Sequence, residues 1–240
     1  HQEPPGGQDW PVASTEWAAS RCELLLRVSQ RLVIEPARRA NPDVSLIIKY
    51  PQWYDDFQRR GYDVVRETAD FDTTWVGTEI RDEHDERWGG RGRLTAYFLQ
   101  SWLESVSGGK CGGGWYDTLG TTPSTYLVQA RQTILGGARE SMLFNAGTLR
   151  NRSQGLADAE ALRKALPDLL DLSDNVKRRS LVGMSMYKPP HSRGEEEKRI
   201  FEFVGMLGIR FVTCHEFPVD AQAALFSLHA LQDEAFVDHL

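Results

Sequence analysis

Cysteine is scarce in this 240-residue chain. Cys22, Cys111 and Cys214 are odd in number and far apart, so they build neither a disulfide framework nor a CxxC metal site. Long apolar runs are missing as well. Nothing approaches the ~20 residues needed to cross a bilayer, and the N-terminal stretch lacks the charged and apolar regions of a signal peptide. Together these absences predict a soluble protein in a reducing cytoplasm with no membrane partner. His1 stands where a Met would open a whole protein, which reads as a cut fragment. Basic charge is not in excess either. With 28 Lys+Arg against 34 Asp+Glu the net charge is -6, which excludes general attraction to nucleic acid or to anionic membranes.

What is present is the composition of a globular chain. At 40% hydrophobic, 26% charged and 10% aromatic residues, it has ample core, which excludes wholesale disorder, collagen and a disulfide miniprotein. At roughly 100 to 200 residues per domain, the length allows one large domain or two small ones. A complete eight-fold barrel alone takes about 250.

The opening His1 to Pro11, rich in Pro, Gly and Gln, reads as a loop. From Glu16 to Ala40 apolar residues recur at three- and four-residue steps, a helix that Asn41-Pro42 ends. Val44 to Ile48 then reads as a strand covered on both faces. Further strands are expected at Thr73 to Thr78, Cys111 to Tyr116, Glu140 to Asn145, Ser180 to Met186 and Ile209 to Thr213. Helical patterns fall between them at Leu94 to Val106, Pro123 to Gly136, Asp158 to Leu172 and Glu195 to Leu207. Alternation of strand and helix without hairpin signals predicts an α/β fold with a parallel sheet, either open and doubly wound or closed into a barrel. No GxGxxG or Walker loop follows any strand, which weakens the nucleotide-binding form of the open sheet, and no cofactor is expected. The charged run Lys177-Arg178-Arg179 marks a seam, with a boundary expected near Ser173 to Ser180.

In parallel α/β folds ligand groups gather at the C-terminal ends of the strands. Here those ends hold Lys49, Tyr50, Trp53 and Tyr54; then Glu79 and Arg81; then Trp115 and Asp117; then Asn145. Aromatic faces beside fixed donors and acceptors suit a carbohydrate, whose ring offers apolar C–H faces and polar hydroxyls. Glu79 and Asp117 are the best acid and base pair, since glycosidic cleavage takes one carboxyl as proton donor and another as nucleophile or base. Plainer roles compete. Glu79 could pair with Arg81 or Lys49, Asp117 could cap the next turn, and the aromatics could be rim packing. Gly112-Gly113-Gly114 lies inside a strand, which favours close backbone packing over a phosphate cradle. The Asp82 to Asp85 cluster around His84 reads as a solvated loop, so no metal site is expected. Cys214-His215 hints at a thiol nucleophile in a rival, amidotransferase-like reading.

At these strand ends the chain resembles bacterial glycoside-hydrolase-like (β/α)8-barrel proteins, related in layout to β-galactosidases whose barrel is followed by a trimerisation domain. The likeness rests on Ile47 to Asp55, Trp75 to Arg81, Gly113 to Asp117 and Gly137 to Asn145. It implies the C-terminal half of a TIM barrel over residues 1–175. Residues 176–240 would be the start of a flavodoxin-like or amidotransferase-like α/β domain through which copies assemble. The implied activity is glycoside hydrolysis by Glu79 and Asp117, with Lys49, Tyr50, Trp53, Tyr54, Arg81, Trp115 and Asn145 lining the sugar site. A non-catalytic carbohydrate-binding or assembly module on the same fold is the alternative. One departure stands: the β-galactosidases use a Glu after the fourth and the seventh barrel strands, whereas here the seventh would end in Asp117 and Glu79 would follow the sixth.

Overall fold

A computed structural model of the chain describes residues 15–87, 93–151, 153–192 and 200–238. The expected opening loop and the first residues of the Glu195 helix lie outside them. Helix α1 (Thr15–Val28) runs through a π-helical turn (Ser29–Ile34) into α2 (Glu35–Ala40). Four strands follow: β1 (Ile47–Tyr50), β2 (Thr73–Gly77), β3 (Cys111–Tyr116) and β4 (Glu140–Leu143). Short helices α3 (Phe57–Arg60) and α4 (Val64–Asp70) connect the first pair, α5 (Thr95–Val106) the second and α6 (Pro123–Leu135) the third. After α7 (Ala146–Asn151) and the long α8 (Ser153–Lys177) come β5 (Met184–Tyr187), α9 (Ile200–Met206), β6 (Phe211–Cys214), β7 (Ala224–Leu225) and α10 (Glu234–Val237). No described helix is long and apolar enough to cross a membrane.

The first sheet is wholly parallel in the order β1-β2-β3-β4, with Lys49 opposite Trp75 and Gly77 opposite Trp115. The second, β6-β5-β7, is also parallel. Among the described residues β1 and β4 are not paired, so the first sheet does not close on itself. Its helix-covered side buries Tyr50, Val76 and Cys111 against Phe98, Leu99, Trp102 and Leu103 of α5. The other side is open. Ile47 keeps 44% of its surface, and Lys49 and Glu140 are exposed. The expected strand covered on both faces is therefore corrected to one with a single covered face. Its bounds shift too, because Asp72 Oδ2 holds the Leu46 amide at 2.8 Å and pairing begins only at Ile47.

Helix α5 also packs on the second sheet, so Met186, Phe201 and Phe211 belong to the same core as Tyr50 and Trp102. Its polar residues recur every fourth position and meet alternate positions along β6. Tyr97 donates to the Phe211 carbonyl at 3.0 Å, Ser101 meets Thr213 Oγ1 at 2.7 Å, and Ser105 meets His215 Nδ1 at 2.7 Å. Four helical residues rise about 6 Å and two strand residues about 6.6 Å, so the two ladders stay in step.

A buried acid lies under β1. Glu67, 3% exposed, accepts a hydrogen bond from Tyr50 Oη at 2.9 Å. Burial pushes its carboxyl up to about 7. The folded state therefore holds this proton more tightly than the unfolded chain does. The stability it contributes is full below about pH 4.5 and is lost as pH rises through 7. Glu67→Gln keeps an acceptor for Tyr50 and removes the charge. In urea melts the variant is expected to gain on the parent between pH 5 and 8, by on the order of 2 kcal/mol at the upper end. A pH-independent difference would contradict this account.

Candidate active site

The open face owes its shape to missing side chains. A Cβ at Gly113 would stand 2.7 Å from the Trp75 ring, and one at Gly112 would stand 2.6 Å from Thr73 Cγ2. The Trp75 indole thus lies against the β3 backbone. At Gly77 a Cβ would collide with Glu79 Oε2 and lie 3.1 Å from the Trp115 ring, so this glycine makes room for both. On the helix side, Gly114 admits Thr78 and Thr133, whose hydroxyls bond at 2.7 Å.

Into this frame the structure brings Glu79, Trp115, Trp75 and Lys49. Trp115 Nε1 donates to Glu79 Oε1 at 2.9 Å. Glu79 Oε2 is buried and has no hydrogen-bond partner among the described residues. Burial raises this carboxyl above the usual carboxylate range, and the nearby Asp117 charge adds to the effect. The Lys49 ammonium sits 5.5 Å from the Trp75 ring centre and 5.8 Å from that of Trp115, with Met142 Sδ at 3.9 Å.

Asp117, 3% exposed, faces a guanidinium. Arg81 Nη1 bonds its Oδ1, Arg81 Nη2 reaches Oδ2 at 3.2 Å, and the Leu119 amide donates to Oδ1 at 2.8 Å. Arg81 also donates to the Leu119 carbonyl at 2.7 Å. Gln129, fully buried on α6, ties the two strand ends together. Its Nε2 donates to the Asp117 carbonyl at 3.0 Å, and its Oε1 accepts from the Ile80 amide at 3.1 Å. Sequence reasoning passed over Gln129 because a glutamine within a helix carries no signal of its own. Beyond the Arg81 pair a polar cleft of about 460 Å³ opens, lined by Asp82, His84, Asp85, Thr118, Thr121 and Gln154.

Four expected site residues lie elsewhere. Tyr50 and Tyr54, at 0% and 1% exposure, are in the core on the helix side, with their hydroxyls on Glu67 and Glu202. Tyr50 must point there, because Lys49 beside it points to the open face. Trp53 stacks under the Arg60 guanidinium at 4.2 Å, away from Trp115. Asn145 takes φ +63°, a conformation asparagine tolerates, and its Oδ1 receives the Thr148 amide at 3.4 Å at the start of α7. No group of three or more His, Cys, Asp or Glu side chains gathers as a metal site among the described residues. Burial pushes the Cys214 thiol up to about 11, and the His215 ring turns to Ser105, which disfavours the thiol-nucleophile reading.

The fold is a mixed α/β arrangement whose parallel sheet carries carboxyls and tryptophans at its strand ends. The sequence comparison makes this specific: residues 9–163 match the family described as a probable glycosyl hydrolase, catalytic domain, and the chain belongs to that family. An uncharacterised protein of Saccharolobus solfataricus is 25% identical over 207 residues, which cover 83% of this chain and 34% of that protein. The chain thus spans about a third of the length of this curated relative. No solved structure matches.

Gly77→Ala tests the packing. The added methyl is expected to separate the Trp115 indole from the Glu79 carboxyl and to cost about 1–3 kcal/mol. Near-UV dichroism should change in the tryptophan bands while the far-UV spectrum stays. Unaltered tryptophan bands would contradict the arrangement.

Proposed function

We propose that this chain supplies the acid and nucleophile side of a glycoside-hydrolysing site. Glu79 protonates the leaving oxygen, and Asp117 attacks the anomeric carbon or activates water. One observation carries the reading: two carboxyls at neighbouring strand ends stand in unlike surroundings. Glu79 is buried beside an indole with one oxygen unpartnered, while both oxygens of Asp117 are engaged by the Arg81 fork. Acid and nucleophile need unlike surroundings of that kind. Trp115, seated beside the buried Trp75, gives the sugar ring its apolar platform, and the cleft lined by Asp82 and Thr121 extends the site to neighbouring units.

The sheet order supports a (β/α)8 barrel as the parent architecture. Sequential parallel strands with helices on one side are the arrangement of a barrel arc, whereas a doubly wound sheet reverses its order partway. The Lys49 face would then be the barrel interior, completed by further strands, and the β5 to β7 sheet would mediate assembly of copies. A second reading, a carbohydrate-binding module without catalysis, draws on the engagement of both Asp117 oxygens by Arg81.

Release of nitrophenol and of methanol from matched nitrophenyl and methyl glycosides separates these readings. Glu79→Gln is expected to cut turnover of methyl glycosides by about 10²–10⁴-fold and of nitrophenyl glycosides much less, since nitrophenolate leaves without a proton. Asp117→Asn should impair both substrates alike. Binding without turnover by the parent protein would favour the module.

A further inference from the structure

Charged groups on the open face are not all paired. Arg81 is consumed by Asp117, and Glu79 is turned into Trp115. Lys49 remains on β1, with Glu140 in the same row but on β4, beyond β2 and β3. Its ammonium is exposed, held over two indole rings and beside the Met142 sulfur, and no carboxylate lies within ion-pair distance of it among the described residues. This is conspicuous in a chain where acids outnumber bases 34 to 28. The natural partner, Glu79, sits on the same face but gives one oxygen to the Trp115 indole and turns the other over Gly77.

An ammonium beside an aromatic platform presents a point charge at one edge of wherever a sugar ring would stack. A neutral ring offers it only hydroxyls. A ring bearing a carboxylate offers it a full opposite charge as well as an acceptor.

We propose that the site takes an acidic sugar, a hexuronic acid whose carboxylate pairs with Lys49 Nζ while its C–H face lies on Trp115, the more exposed of the two indoles. This rests on the reading of the open face as a carbohydrate site, and the two are tested separately by measuring binding with paired ligands. The tryptophans themselves report occupancy through their fluorescence.

The experiment titrates the 240-residue chain at pH 7 and low salt with methyl glucuronide and methyl galacturonide. Methyl glucoside and methyl galactoside serve as neutral matches, and sodium acetate serves as a bare carboxylate. At least one uronide is expected to bind about tenfold or more tightly than its neutral match, and acetate far more weakly. Lys49→Met should bring the ratio close to one, and Lys49→Arg should retain most of it. The far-UV spectra of both variants, altered at an exposed position, should match the parent. Equal affinity for uronide and neutral sugar, or a preference that survives Lys49→Met, overturns the acidic-sugar assignment while leaving a carbohydrate site in place. Saturation by acetate at the same concentration as the uronide also overturns it, since no sugar is then recognised. If none of the four glycosides perturbs the tryptophans, both the assignment and the carbohydrate reading of this face fail.

Discussion

Trp75 lies against the backbone of β3, and it does so because residue 113 carries no side chain. Three successive glycines are a poor choice for a strand, each costing about 0.5–1 kcal/mol in conformational entropy relative to alanine. The strand persists because it is paired on both sides and its flanking Cys111 and Tyr116 are buried. From the seat of Trp75 the rest follows by register. Lys49, opposite it on β1, projects over the same ring. One row further, Gly77 lies opposite Trp115, and the space above the glycine receives the Glu79 carboxyl. Large side chains on one strand thus fill gaps left by glycines on the next, and the site is the open end of that interlocking.

The covered side is fastened at several points. Helix α5 is engaged by the first sheet through Phe98 and Trp102 and by the second through Tyr97, Ser101 and Ser105. Glu202 of α9 accepts hydrogen bonds from Tyr54 at 3.0 Å and Thr95 at 2.6 Å, which ties the loop after β1 to the second sheet. Fully buried Lys188 stands 4.2 Å from the Trp102 ring centre, and the Trp102 indole donates to its carbonyl. Both sheets are thus fastened to one helix, which fixes the frame on which the strand ends of the open face are carried.

Much of the frame was legible in the sequence. The limits of β3 agree with expectation residue for residue, and α5 and α6 agree within a residue, because their patterns are strong and their ends carry turn residues. The placement of Glu79 and Asp117 was also readable, since each acid falls just beyond a strand that shares register with its neighbour. Facing was harder. Alternation along β1 separates Lys49 from Tyr50, yet nothing local says which face will be covered. Tyr54 lies in a 3-10 turn where no simple period applies, and its inward turn is decided by Glu202, 148 positions away. Short helices α3 and α4 were missed because one or two turns show too little periodicity to stand out from a loop.

The unlike surroundings of the two carboxyls depend on Arg81. A carboxylate at the 3% exposure of Asp117 is costly to bury without a partner. The Arg81 fork supplies that partner, and the charge on Asp117 is one of the influences raising Glu79. Gln129 holds the Ile80 amide and the Asp117 carbonyl from a single side chain, and so limits how far the two strand ends can separate. The two carboxyls are therefore positioned by one buried cation and one buried amide. Lys49 and the two indoles stand apart from that frame, on the face that no helix covers.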